Sequence, residues 1–226
     1  MTKSRPILFS PAMVTAILDG KKSQTRRAIT PQPISSKPEA EWYPDAYDGG
    51  PEWTFWGKKG SAVANKCTLP FWKCPYGVVG DSLWVREEHY RFGHWREVPG
   101  VKTKGGRQKW AFIPDSDQVL FVMPDKSYLK SRLKDYPEAP AWHKRLARFM
   151  PRSCSRITLE ITEIRVERLC DISETDSIAE GVSDRDEDGA WTSASEAYAE
   201  LWDKINGDGS WNKDPFVWCL TFKVVS

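Results

Sequence analysis

The sequence predicts a mostly β, α+β fold with a few short helices. Alternating apolar residues within 156–168 predict one strand, and the apolar stretch 216–225 predicts another. Segment 193–206 carries apolar side chains at helical spacing after Ser193, which has Glu196 three residues later. This capping pattern predicts an amphipathic helix. Strands therefore outnumber helices in the predicted fold.

The first elements follow from short local signals. Residues 6–9 predict a strand, and the Ser10-Pro11 pair that follows is typical of a helix start. Apolar residues at helical spacing extend this helix over about 11–19, and Gly20 stands where a helix-ending glycine belongs. A Gly80-Asp81 turn then precedes a predicted strand at 82–87.

The later elements are predicted in the same way. Residues 96–108 are basic and contain glycine, so we expect a hairpin loop there, with 109–113 and 119–123 as its flanking strands. Residues 141–149 suggest a short basic helix. The apolar alternation of 156–168 changes phase near Thr162-Glu163, which predicts a bulge. Ser173 with Asp176 predicts a short helix that ends before Gly181.

Length and composition favour one elaborated domain over 1–226, with an irregular, proline-rich and aromatic-rich insertion at about 30–78. The net charge of +2 neither favours nor excludes a polyanionic partner. No apolar run has the length of a signal sequence or membrane span, and the five cysteines are odd in number. We therefore expect a cytoplasmic protein with reduced thiols and no membrane partner.

Four segments in a fixed order carry a family resemblance: 17–27, 80–87, 156–182 and 216–225. Together they resemble the ASCH domain family, and especially the longer ASCH proteins of phages and prophages. The matching segments cover roughly half of the chain, and their order makes the resemblance fairly specific. The resemblance implies a PUA-like β-barrel with flanking helices and a nucleoside or RNA as partner.

The resemblance also implies an activity. Small bacterial ASCH amidohydrolases cleave 4-acetylcytidine to cytidine and acetate, and their catalytic motif falls on Lys22, Thr25 and Glu180 of this sequence. Thr25 would be the nucleophile, and Lys22 its base once burial lowers the lysine pKa. Glu180 would orient Lys22 or protonate the leaving nitrogen. Ser23 departs from the family, which tends to have threonine there.

Substrate binding is assigned to four further residues of the matching segments, namely Arg26, Arg27, Asp81 and Trp84. A guanidinium such as that of Arg27 would hold a substrate oxygen or phosphate. Each of these residues also has a structural interpretation, and Asp81 is a natural turn former. No cofactor is expected, and no metal site, because Cys67 and Cys74 lack the close pairing of structural zinc ligands.

Two other functions stay open from the sequence. The chain would be a non-catalytic module that binds RNA or a modified base, or an ASCH-type ribonuclease. Two basic clusters with aromatic neighbours favour nucleic-acid binding, because cations position the backbone and rings stack on bases. The candidate residues are Lys102, Lys104, Arg107, Arg145 and Arg148.

Overall fold

A computed structural model describes residues 2–32, 41–44, 52–56, 72–123, 138–184 and 193–225. The chain divides into two compact units. The first unit comprises Met1–Ile7, Ala12–Val85 and Arg156–Ser226, and the second comprises Leu8–Pro11 and Arg86–Ser155. The prediction of one elaborated domain stays a prediction.

The fold is mixed α/β, with mostly strands and few helices, as the sequence predicts at this level. In chain order the strands are β1 (Ser4–Leu8), β2 (Gln24–Ala28), β3 (Glu41–Pro44), β4 (Glu52–Trp56), β5 (Trp72–Lys73), β6 (Ser82–Arg86), β7 (His89–Lys102), β8 (Gln108–Leu120), β9 (Ala141–Arg145), β10 (Thr158–Arg168) and β11 (Phe216–Val224). The α-helices are α1 (Pro11–Leu18), α2 (Glu174–Ala179) and α3 (Ala194–Asn206).

The main sheet of the first unit has five strands in the order β1-β6-β10-β11-β2. The β10–β11 pairing shifts register between Ile161 and Glu163, which confirms the predicted bulge. In the described part of the chain β1 and β2 are the two edges and do not pair with each other. The sheet is therefore not closed into a barrel there, and the PUA-like barrel is not confirmed.

The helices of the first unit begin and end as predicted. The side chains of Ser173 and Ser193 accept hydrogen bonds from the backbone N–H of Asp176 and Glu196, so both predicted caps are confirmed. Helix α3 buries its apolar side against the chain before α2 and against β11. This cluster consists of Leu169, Ile172, Tyr198, Trp202 and Val217. Burying each such large side chain stabilises the fold by about 1.5–3 kcal/mol, which is what holds α3 beside the sheet.

The second unit corrects two predictions. Its sheet has the order β8-β7-β9, and β7 and β8 form a long hairpin. The predicted loop 96–108 is therefore mostly strand, with only 103–107 in the turn. The predicted helix at 141–149 is wrong, because Ala141–Arg145 pairs with β7 and only Ala147–Phe149 forms a 3₁₀ turn. Edge pairing thus overrides the local helical pattern.

The insertion at about 30–78 is described only in part. Its backbone contains a three-stranded antiparallel sheet in the order β3-β4-β5, so the expectation of an irregular segment is wrong for these strands. The remaining residues of the insertion up to 71 lie outside the described ranges, apart from 30–32. Among the helices that the structure describes, none combines the length and apolarity needed to cross a bilayer.

Candidate functional site

Lys22 and Glu180 form a buried ion pair at the end of α2. Lys22 lies between α1 and β2, and its Nζ donates to Glu180 Oε2 at 2.6 Å and to the Glu180 carbonyl oxygen at 2.6 Å. The side chains are 0% and 2% exposed. The next residue, Gly181, has φ +89°, and a Cβ there would lie 3.1 Å from Lys22 Cβ. Glycine thus permits the close approach of the two segments.

Burial lowers the pKa of Lys22, because the ammonium loses its water. The carboxylate of Glu180 acts in the opposite direction, and the neighbouring Arg27 and Arg26 lower this pKa further. The lysine therefore lies in a setting that moves it towards the neutral form. A neutral amine is the form that can accept a proton from a nucleophile.

The second carboxylate oxygen of Glu180 is held by two other elements. Tyr198 Oη donates to Glu180 Oε1 at 3.3 Å from helix α3, and Arg26 Nη1 donates to the same oxygen at 3.4 Å from β2. Burial and the nearby Glu180 raise the pKa of the Tyr198 phenol, so it stays protonated and remains a donor. Three elements thus fix one buried carboxylate.

Arg26 is the centre of a larger buried network. Its guanidinium is fully buried and donates to Gln24 Oε1 at 2.6 Å, to Asp176 Oδ2 at 3.0 Å and, through Nε, to Glu167 Oε1 at 2.8 Å. With the further bond from Nη2 to Glu167 and the bond to Glu180, all five N–H groups have acceptors. Arg26 therefore organises the site. Any substrate contact through its N–H groups would have to replace one of these bonds.

Thr25 is completely buried, and its Oγ1 has no hydrogen-bond partner among the residues that the structure describes. It pairs with Leu220 of β11. Successive side chains of a strand face opposite sides, so Thr25 and Arg26 lie on opposite faces of β2. No hydrogen bond therefore joins Thr25 Oγ1 to Lys22, the residue predicted to act as its base. The hydroxyls of Ser4 and Ser116 are likewise buried without a partner in the described part of the chain, so this feature alone does not distinguish Thr25.

An open cleft lies between β2 and α3, and its empty space of about 380 Å³ includes open solvent. Glu180, Arg26 and Tyr198 form its polar part. Lys22 and Thr25 are not among the residues that line it. Its remaining lining residues are Met13, Arg27, Ala28, Leu201, Trp202, Ile205 and Asn206. An apolar wall with a few converging polar groups is typical of a small-molecule site.

The other predicted substrate-binding residues lie at different places. Arg27 lines the cleft, whereas Trp84 is buried in β6 opposite Thr158. The carboxylate of Asp81 accepts from Arg5 Nη1 at 2.6 Å and from two backbone N–H groups, those of Lys3 and Val78. Those hydrogen bonds lower the pKa of Asp81 although burial opposes the change. Its observed contacts are those of a turn residue, and its role in substrate binding stays a prediction.

The predicted nucleic-acid-binding residues all belong to the second unit. Lys102, Lys104 and Arg107 are exposed in and beside the β7–β8 turn. Arg145 lies on β9 and Arg148 in the 3₁₀ turn that follows it. The three turn residues and the other two thus lie on different elements of this unit.

Several residues that bind the predicted site residues were not predicted from the sequence. Glu167, Asp176 and Gln24 bind Arg26, and Tyr198 binds Glu180. One signal was present: Glu163, Arg165 and Glu167 alternate along β10, a pattern that indicates a polar face of the sheet. Within the described ranges, no group of three His, Cys, Asp or Glu side chains is arranged to hold a metal ion.

Comparison of the chain with protein-family models, with curated proteins and with solved structures found no match.

Proposed function

We propose that this protein hydrolyses the amide that joins an acyl group to the exocyclic amine of a modified cytosine nucleoside or nucleotide. The observation that carries the proposal is the buried Lys22–Glu180 pair. Thr25 follows Lys22 by three positions, and its hydroxyl has no hydrogen-bond partner among the described residues. These are the residues on which the ASCH amidohydrolase motif falls. We also propose an ASCH-type, PUA-like architecture, which the order of the strands and helices along the chain supports.

The chemistry assigns one task to each residue. Thr25 Oγ attacks the acyl carbon, and neutral Lys22 Nζ takes the hydroxyl proton. Lys22 passes this proton along its 2.6 Å hydrogen bond to Glu180 Oε2, and Glu180, which borders the cleft, delivers it to the leaving exocyclic nitrogen as the C–N bond breaks. Water then hydrolyses the acyl ester on Thr25 and regenerates the hydroxyl. Thr25 is fully buried, and it lies on the opposite face of β2 from Arg26. The reaction therefore requires that substrate binding moves β2 so that the acyl group and the Thr25 hydroxyl meet.

The electrostatics of the site support these tasks. The Lys22 pKa is lowered by burial, so less free energy is needed to form the neutral base. Arg26 and Tyr198 hold Glu180 Oε1 at the edge of the cleft. The apolar wall from α3 and Met13 fits a flat pyrimidine, and Arg27 is placed to meet a polar oxygen of the substrate.

The test is chromatographic detection of cytidine after incubation with 4-acetylcytidine and with other acylated cytosines. Wild type should release cytidine, and Lys22→Met and Glu180→Gln should each lower kcat by about 10²-fold or more. Lys21→Met is the matched control. Lys21 is the neighbouring lysine, its side chain is 74% exposed, and it pairs only loosely with Asp19 at 3.7 Å.

Two results would oppose the proposal. Release of cytidine at an unchanged rate by both Lys22→Met and Glu180→Gln would remove these residues from the reaction. Failure of the folded wild type to release product from any acylated cytosine would remove the activity itself. Circular dichroism of each variant distinguishes loss of chemistry from loss of folding.

A further inference from the structure

The two units differ strongly in charge, although the whole chain is nearly neutral. The second unit contains fifteen Lys and Arg against eight Asp and Glu, a net charge of +7. The first unit therefore carries a net charge of −5. A compact unit this basic attracts polyanions, which a neutral whole-chain average conceals.

One face of the β8-β7-β9 sheet combines arginine with aromatic rings. Trp95 of β7 pairs with Phe112 of β8, and their rings meet edge to face at 5.5 Å. The Arg145 guanidinium carbon lies 4.9 Å from the centre of the Trp95 ring and 4.5 Å from that of Phe112. Phe149 lies 5.4 Å from the same carbon and is 54% exposed. We call these four residues the Arg145 face.

The charge on this face is not neutralised locally. Within the described ranges, no carboxylate or carbonyl accepts a hydrogen bond from Arg145. Burial lowers the pKa of Arg145, and the positive charge of Arg91 lowers it further. Ring contacts occupy the flat side of a guanidinium and leave its N–H edge free. An anion in the plane of that edge would offset both burial and the repulsion from Arg91, because it stabilises the charged guanidinium.

We propose that the Arg145 face binds a single-stranded nucleic acid, with phosphates on Arg145 and Arg148 and a base on the exposed ring of Phe149. The Arg148 guanidinium carbon lies 4.9 Å from the Phe149 ring centre, so two guanidinium groups lie against the exposed ring. Phosphates and bases alternate along a single nucleic-acid strand, and guanidinium groups and rings alternate on this face of the protein. A duplex hides its base faces and offers no such match.

The test is fluorescence anisotropy with a labelled 12-nucleotide oligouridylate, the oligothymidylate of equal length and a 12-base-pair duplex. At 50 mM salt both single strands should bind and the duplex should bind more weakly; the tighter of the two identifies RNA or DNA. Phe149→Ala should weaken binding by roughly 5- to 100-fold through lost stacking. Arg145→Gln should weaken binding and make the slope of log affinity against log salt shallower by about 0.7.

The controls are placed in the first unit. Ile178→Ala removes an apolar side chain with 43% exposure, and Lys213→Gln removes an exposed cation. Neither should alter binding. The proposal is overturned if no single strand binds at 50 mM salt, or if binding is unchanged in both Phe149→Ala and Arg145→Gln. Displacement of the oligonucleotide by polyglutamate of equal charge with equal potency would overturn it too, in favour of an acidic polypeptide.

Discussion

Breaking the Lys22–Glu180 pair from either side should have unequal costs. Lys22→Met leaves the Glu180 carboxylate with two donors, Arg26 Nη1 and Tyr198 Oη. Glu180→Gln instead leaves a buried ammonium facing a neutral amide, at a site where its side chain is 0% exposed. An ammonium that loses its counter-charge in such a site is costly, because water cannot replace the partner.

The expected magnitudes follow from this difference. Glu180→Gln should lower the free energy of unfolding by about 3 kcal/mol, at the lower end of the cost for breaking a buried pair, since one oxygen acceptor is retained. Lys22→Met should lower it by about 1–2 kcal/mol, comparable with a hydrogen bond to a charged group. The double variant Lys22→Met/Glu180→Gln contains no unpaired ammonium. Its cost should therefore be smaller than the sum of the single costs by at least about 1 kcal/mol.

Urea unfolding measures the four free energies, and hydrogen exchange of the β2 amides assigns the change to the first unit. The expected coupling is contradicted if the two single losses in free energy of unfolding add within about 0.5 kcal/mol, because residues in contact should couple by more than that. The expected order of the two losses is contradicted if Lys22→Met is the more destabilising single change. Lys21→Met serves as the matched control and should unfold like the wild type.

Three further predictions concern neighbouring positions. Thr25→Val keeps the side-chain shape and removes an unpaired buried hydroxyl, so unfolding should need about 1 kcal/mol more while cytidine release is lost. Gly181→Ala should destabilise by about 1 kcal/mol or more in thermal unfolding, because φ is +89° and the added Cβ would press on Lys22. The lowered pKa of Asp81 means that its stabilisation is complete above its usual pKa of 3.8 and is lost as the pH falls through the lowered value. Asp81→Asn should therefore lose stability at neutral pH, lose less in acid, and leave the KM for 4-acetylcytidine unchanged if the residue only holds the turn; a raised KM would indicate substrate contact.

Local signals explain which elements could be predicted from the sequence. The caps at Ser173 and Ser193 and the phase change near Glu163 each involve residues a few positions apart, so a short stretch of chain determines them. The strand Ala141–Arg145 was missed because its partner β7 lies about fifty residues earlier. The glycines between 93 and 106 indicate breaks in the strands. Gly93 instead lies inside the hairpin at a register shift, where an added Cβ would lie 2.3 Å from the Ile113 carbonyl oxygen.

The candidate site likewise contains features that the sequence could indicate and contacts that only the fold brings together. Lys22 and Glu180 were predicted through a family motif and not through spacing, since 158 positions separate them. Arg26 was predicted as a substrate-binding residue, yet its acceptors come from β2, β10 and the two ends of α2, which only the fold brings together. Tyr198 was interpreted as the apolar side of an amphipathic helix. Its ring does pack in the core, and only its hydroxyl reaches Glu180.

The balance of charge in this site argues for a function. Lys22, Arg26 and Arg165 meet three carboxylates around helix α2, those of Glu167, Asp176 and Glu180. Replacing buried ion pairs by apolar side chains of similar volume is often neutral or stabilising, so folding alone does not require them. Positioning one carboxylate at the wall of a cleft, beside a lysine with a lowered pKa, does require fixed charges on several elements. The network is thus what the proposed chemistry of Glu180 and Lys22 would require.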